Sequence, residues 1–563
     1  MLVITLAWPS LSMLSLNFCL SENSVANNRS TTKEYRRRAC TGISLPTPYM
    51  SKQQITTSKG LIHNTFFNVT TQIIQAVITF FLIRFFLGKL GEVKYGVWII
   101  VASIFNYRTT ISMGLNSSIN RYIPVYLATN DEEGIQRVIS SSFFFYSALS
   151  IVLILASLVV YYNIGSWFAI GPNLVPTAGI LVLVVGFCFA TAMPLQLSSA
   201  ILSGLQRYDL INLAILIHLI IRTVLLVILL SVGYGVITIG LMFGLSEISV
   251  RVMQLIFIKK LMPHITISLK DVDFQLLREM LAYGINTLLY AMAGLIMYKS
   301  SDIIIGIFIS TAHVARFSVA AASVMLLSKV EAFTRAIKPA VSDLDARDDR
   351  SRIHEVAFLS QKYILLLLIP AICFLVVMGR EFLSVWVGAK FPEPTIVDEL
   401  SVVLAILAIG HGLRLSQHSN FMVLVGKGEH RAFGILAAIS AIFCVTLAVL
   451  SIKVLNLGLI GIAWSNFLPM AITSGMVLPV YFNWKMHISM RESLQRVWWP
   501  ALLGSLPSVI MISTWKYLAP PDSWFEIFAV VTAATATTLA SGWFLSLKAI
   551  ERKRFIYILA QRK

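Results

Sequence analysis

Charge is scarce in this chain. Of its 563 residues only 13% are Asp, Glu, Lys or Arg, about half the share found in an ordinary soluble domain. Cysteine is scarce as well. The five, Cys19, Cys40, Cys188, Cys373 and Cys444, include no C-x-x-C pair, which excludes a disulfide scaffold and a zinc framework and leaves them as small apolar fillers. There is no G-x-x-x-x-G-K-[ST] loop, no H-E-x-x-H and no credible Ser/His/Asp group. ATP hydrolysis is therefore not expected, nor is any enzyme activity, metal or cofactor. What the chain does have is apolar surface: 57% hydrophobic residues and a mean hydropathy of +0.78. Soluble cores of normal size could not hide it. The class that remains is a polytopic membrane protein.

Runs such as Ile151–Val160 and Ile180–Val185 are apolar without alternation, so they read as helices and not as the strands of a lipid-embedded barrel. From Leu61 almost to the end, about 14 spans of roughly 20 residues fit. The net charge of +18 follows topology. With the N-terminus in the cytoplasm, the two tails and the connections after even-numbered spans carry about five Lys or Arg for each one elsewhere. The expectation is an inner (cytoplasmic) membrane protein with both termini cytoplasmic, and no nucleic-acid partner.

Residues 1–60 differ from the rest. Leu2–Leu20 is broken by Trp8-Pro9 and lacks a positive n-region, and Ser21–Lys59 is polar with Arg36-Arg37-Arg38. Either this is a disordered cytoplasmic extension or translation begins at Met50, and Met50 is the favoured start. The body reads as a duplication. RFFLGKLGEVKYGVWIIVAS (84–103) and DIIIGIFISTAHVARFSVAAAS (302–323) align Gly88 with Gly306. Pro124 before LATNDEEGIQRV (127–138) matches Pro339 before SDLDARDDRSRI (342–353). The expected organisation is a first six-helix bundle (61–258), a cytoplasmic linker (259–279), a second six-helix bundle (280–482), two extra helices (497–547) and a basic tail (548–563).

Ionisable groups inside spans cost several kcal/mol against lipid, so they should face protein or a wet cavity. Three couples stand at helical spacing: Glu247 with Arg251, Lys299 with Asp302, and Glu331 with Arg335. These read as internal pairs or as coupling groups. Arg108, Arg222, Lys329 and Arg414 are left with no carboxylate at such spacing. They are expected around a hydrated cavity that receives an anion, because guanidinium donors match phosphate oxygens in pairs. The alternative is that each caps helix carbonyls or snorkels. His411, Arg414 and His418 share a helix face, a proton-sensitive stripe or hydrogen-bonded interhelical histidines. Arg84 snorkels near the outer end of the first span.

LGEVKYGVW (90–98), GLNSSINRYIP (114–124) with its acidic loop, and GLQRYDLINL (204–213) resemble the polysaccharide-export branch of the multidrug/oligosaccharidyl-lipid/polysaccharide exporter superfamily, the O-antigen and teichoic-acid type flippases. The similarity runs from Leu61 to about residue 480. It implies an all-α, MATE-like fold of two bundles around a central cavity, and alternating access. The implied cargo is an oligosaccharide linked through pyrophosphate to a polyprenol, handled in the bilayer for cell-surface polysaccharide biosynthesis alongside glycosyltransferases and a polymerase. A cation-coupled multidrug antiporter of the same fold, or a non-transporting scaffold of a glycan-assembly complex, are the alternatives. Drug exporters take cations and favour unpaired cavity acids; here all three deep acids have bases at helical spacing.

Overall fold

A computed structural model describes residues 58–553 except 265, 335, 336 and 430. The polar extension up to residue 57, with Cys19, Cys40 and the Met50 start, therefore lies outside the described residues. So do Arg335 and the tail beyond residue 553. Among the described residues every regular element is helical, and 13 helices are long and apolar enough to cross a membrane. The sequence count of about 14 differs from this at the first helix, α1 (Ser58–Ala128), which counts as one although Gly91 interrupts it with φ 73° and ψ 168°. A side chain there would be strained.

The first bundle continues with α2 (Glu132–Trp167), α3 (Val175–Leu195), α4 (Leu197–Gly204), α5 (Tyr208–Val232) and α6 (Val236–Leu261). The second has α7 (Phe274–Phe308), α8 (Thr311–Met325), a tighter 3-10 stretch (Leu327–Thr334), α9 (Ile337–Ala346), α10 (Arg350–Val377), α11 (Gly379–Val387), α12 (Pro394–Ser416), α13 (His418–Gly426) and α14 (Arg431–Lys453). It ends with α15 (Gly458–Met470), which passes through a π-turn just after Pro469 into α16 (Leu478–Lys485). Proline removes a backbone donor, and the wide turn absorbs the defect. The short α17 (Met490–Ser493), α18 (Trp499–Leu518) and α19 (Trp524–Ser541) complete the chain. Of these, α18 and α19 pack on α10.

The helices are apolar on all sides, and large side chains such as Ile151, Phe187, Ile228, Ile442 and Ile510 stay exposed. In water such a surface would aggregate; against acyl chains it is solvated.

Backbone breaks recur between the bundles. Asn130 (φ 54°) and Asp348 (φ 53°), 218 positions apart, both adopt the left-handed region. In each case the next residue caps the following helix: Asp131 accepts from the Gly134 N–H and Asp349 from the Arg352 N–H. Such caps satisfy donors that the helix itself cannot. Gln196 separates α3 from α4, and Gln417, 221 positions on, separates α12 from α13.

The bundles meet along α1 and α7, and along α1 and α8. At the Gly91 end the seam is closed. Arg316 on α8 donates twice to Glu92, at 2.8 and 2.9 Å. Arg84 donates to the Val385 carbonyl at 2.7 Å, so it is tied to the other bundle and is not merely snorkelling. Trp386 stacks on Phe80 with ring centroids 4.2 Å apart. Gly96 lies so close to the Thr311 carbonyl that a β-carbon there would collide with it.

Candidate functional site

The face of α6 that looks into the first bundle carries Phe243, Glu247, Arg251 and Gln254, at offsets of four, eight and eleven residues. At 3.6 residues per turn these form one stripe. Glu247 is the only acid on it. Its Oε1 accepts from Arg251 Nη2 at 2.7 Å and Nε at 3.2 Å. Arg108, from the second limb of α1, brings Nη2 to 3.7 Å from the same oxygen. Arg251 also donates to Gln254 Oε1 at 3.3 Å, and that oxygen accepts from Ser198 of α4.

Aromatic rings hold the other faces of the guanidinium groups. Arg108 lies over Phe189 of α3 at 3.9 Å, and Arg222 of α5 lies over Phe243 at 4.0 Å. Flat cations stack well on such rings. Arg222 makes no ion pair or hydrogen bond among the described residues. The Nε of Arg108 and of Arg222 are buried donors without a partner. Three guanidinium groups, with five N–H donors each, thus surround a single carboxylate. Arg222 and Glu247 sit about 15 Å along their helices from the Val232 and Val236 ends, near the middle of a roughly 30 Å hydrocarbon layer.

The second bundle handles its charges differently. Arg414 on α12 donates to Glu331 at 2.6 Å and faces Tyr298 of α7, whose ring stacks on His411 at 4.9 Å. His418 shares a hydrogen bond with Thr334 Oγ1 at 2.8 Å. Lys299 pairs with Asp302 at 3.1 Å, and Asp302 also accepts from Ser103 of the first bundle at 2.8 Å. Lys329 is half-buried in the 3-10 stretch. Two acids of this bundle, Glu331 and Asp302, thus each have a base beside them.

Two sequence expectations change as a result. Arg108 and Arg414 each have a carboxylate after all, because the pairing runs between helices and leaves no mark in i,i+4 spacing. The four cations also do not form one cluster by contact: Arg108 and Arg222 gather around Glu247, whereas Arg414 belongs to Glu331 in the other bundle. Glu331 lies in a 3-10 stretch, and its couple with Arg335 falls outside the described residues. The Glu247–Arg251 and Lys299–Asp302 couples form as spaced.

Two hollows lie elsewhere. One, of about 360 Å³, is lined by Arg350, His354, Lys427, Glu429 and Trp484, among others. The second, of about 290 Å³, lies against Arg84, Lys89 and Lys390 at the Gly91 end. Arg108, Arg222 and Arg251 line neither of these two hollows.

Sequence reading missed Lys362 and Glu551. Lys362 is 2% exposed on α10 and donates to both carboxylate oxygens of Glu551, at 2.9 and 2.8 Å, pinning the segment after α19 to the second bundle. A lysine within the apolar run QKYILLLL was the available signal. Glu92 with Arg316 was missed too, because the two are joined only by the fold.

Residues 90–395 match the model of a family described as polysaccharide biosynthesis protein. A 271-residue stretch is 26% identical to the "Probable low-salt glycan biosynthesis flippase Agl15" of Haloferax volcanii, covering 47% of this chain and 54% of that protein. The chain thus spans about half the length of the curated relative it matches. Among solved structures, the lipid II flippase MurJ in an inward closed conformation superposes with a TM-score of 0.67 at 15% identity, covering 84% of this chain and 97% of that one. An inward-facing multidrug resistance MATE family transporter of the MOP superfamily gives 0.60 at 15% identity, covering 75% and 94%. At such identity these two show the fold alone.

Proposed function

The chain belongs to the polysaccharide biosynthesis protein family, and from that premise we propose that it is a flippase-type transporter of the MOP superfamily that moves a lipid-linked oligosaccharide across the cytoplasmic membrane for surface glycan assembly. The cargo would be joined to a polyprenol through pyrophosphate. Its glycan and phosphates would pass between the bundles while the isoprenyl tail stays in lipid. Both termini would lie in the cytoplasm, as the lysine and arginine bias requires.

The observation that carries this reading is the surplus of donors around Glu247. Arg108, Arg222 and Arg251 offer more N–H groups, and more positive charge, than one carboxylate can satisfy. A pyrophosphate has the oxygens and the charge to complete such a set. Buried in low dielectric, the three cations repel one another, and an incoming dianion relieves that repulsion. No bond of the cargo is broken. Binding at the site has only to favour one orientation of the bundles over the other for access to alternate. The seam between the bundles is held at the Gly91 end by Arg316 with Glu92 and Trp386 with Phe80, and at the opposite end by Ser118, which donates to the Met280 carbonyl, and by Gly114 against Gly284.

The test is reconstitution in vesicles with a fluorescent lipid-linked oligosaccharide. Wild-type protein should carry it across, and R108A/R222A should be slowed without loss of protein. Equal transport by the double variant would remove the anion site. Transport of an organic cation and not of the glycan lipid would identify an antiporter.

A further inference from the structure

We infer that Glu247 is a resident anion, which holds the phosphate position while the carrier is empty and gives it up to the cargo. The inference rests on the phosphate site proposed above and assigns this one side chain a role in the transport cycle.

The geometry has three parts. First, the carboxylate is used one-sidedly. Arg251 places two donors on Oε1 and Arg108 approaches the same atom, while Oε2 accepts no hydrogen bond among the described residues. Glu92, by contrast, engages Arg316 with both oxygens. Second, the position is central. Glu247 stands one turn from Arg251 and from Phe243, so Arg251 and Arg108 converge on Oε1 while Arg222 is held on the Phe243 ring one turn away. Third, the hold is partial. Arg108 is too far from Oε1, at 3.7 Å, for a hydrogen bond, and the buried Nε atoms of Arg108 and Arg222 are unfilled. The carboxylate occupies the site without saturating it.

An empty transporter of this kind must still return across the membrane. Three uncompensated guanidinium groups enclosed in low dielectric would repel each other and draw in water. One internal carboxylate lowers that cost. A pyrophosphate, with two or more charges and several oxygens, outcompetes a single carboxylate for bidentate donors. On release, Glu247 re-forms the pair with Arg251, which favours departure of the cargo. The carboxylate therefore weakens binding and speeds the cycle.

Three forms of the full-length protein in detergent, wild type, E247Q and E247D, are titrated with farnesyl pyrophosphate, and their transport is followed in vesicles. E247Q removes the competing charge and should bind the probe about tenfold tighter, with slower multiple-turnover transport. E247D keeps a charge on a shorter side chain that reaches Arg108 less well, and should fall between the two. Should E247Q fail to fold, E247D alone must bind at least about threefold tighter than wild type. Equal or weaker binding by the folded variants, with clear binding by wild type, overturns the resident-anion role and leaves the phosphate site standing. No binding by any form overturns both. Faster transport by E247Q overturns the release step.

Discussion

The two bundles share a backbone and differ in chemistry. Left-handed turns at Asn130 and Asp348, aspartate caps at the next residue, and breaks at Gln196 and Gln417 recur at offsets of 218 and 221 positions. Carried across at those offsets, Arg108 falls at Leu326 or Lys329, Arg222 at Ser440 or Phe443, Glu247 at Ser465 or Leu468, and Arg251 at Pro469 or Ile472. Of these positions only Lys329 carries a charge. The second bundle's own Arg414 and Glu331 correspond to Met193 and Met113 of the first. Duplication thus fixed where the chain turns, while each copy acquired its own interior charges. Among the described residues the first bundle gathers Arg108, Arg222 and Arg251 near one acid, Glu247, and in the second Arg414 pairs with Glu331 and Lys299 with Asp302. A scaffold that needed charge only to hold helices together would gain nothing from the imbalance, since unmatched buried charge destabilises.

The largest effect should come from moving the charge across. Cys444 is fully buried and touches Asn466. C444R places next to the counterpart of Arg222 a buried cation with no acid arranged for it, at a cost of about 5 kcal/mol or more. Size-exclusion of solubilised protein should show little or no monodisperse material; a well-folded C444R would mean that the bundles tolerate charge alike. Next, R108A/R222A should lower vesicle transport about 100-fold, since two charge-assisted contacts at roughly 1.5–3 kcal/mol each are removed. R414A should behave the other way round. It opens the pair with Glu331 and should reduce stability by about 1–2 kcal/mol, discounted because both groups are partly exposed, with transport altered by no more than about fivefold. Thermal unfolding and transport measured side by side sharpen that contrast. The smallest effect is at the seam. E92Q weakens a two-point contact by about 1 kcal/mol, so a thiol placed at Ala315 in a cysteine-free background should label about fivefold faster.

Most of the architecture could be read in advance, because membrane helices announce themselves by length and apolarity. The sequence also suggested the duplication, at Gly88 with Gly306 and Pro124 with Pro339, and the structure adds paired breaks at Asn130 with Asp348 and Gln196 with Gln417. Within helices, the pairs Glu247–Arg251 and Lys299–Asp302 followed from spacing. Between helices nothing followed. The approach of Arg108 to Glu247 spans 139 positions, and that of Arg414 to Glu331 spans 83; no local pattern encodes either. For the same reason the sequence could place two lone cations in each half but could not show that Arg108 and Arg414 find carboxylates on other helices. Lys362 with Glu551 was hidden by a different cause: Glu551 lies in a short basic tail, where a single acid reads as surface.

The central claim is that the first bundle, and not the second, holds the phosphate of the cargo. Equilibrium binding of farnesyl pyrophosphate to wild type, R108A/R222A and R414A compares the two directly. Binding should be lost in R108A/R222A and kept within about threefold in R414A, with the wild-type affinity falling as salt is added. Retention in R108A/R222A together with loss in R414A would place the phosphate in the second bundle and contradict the account.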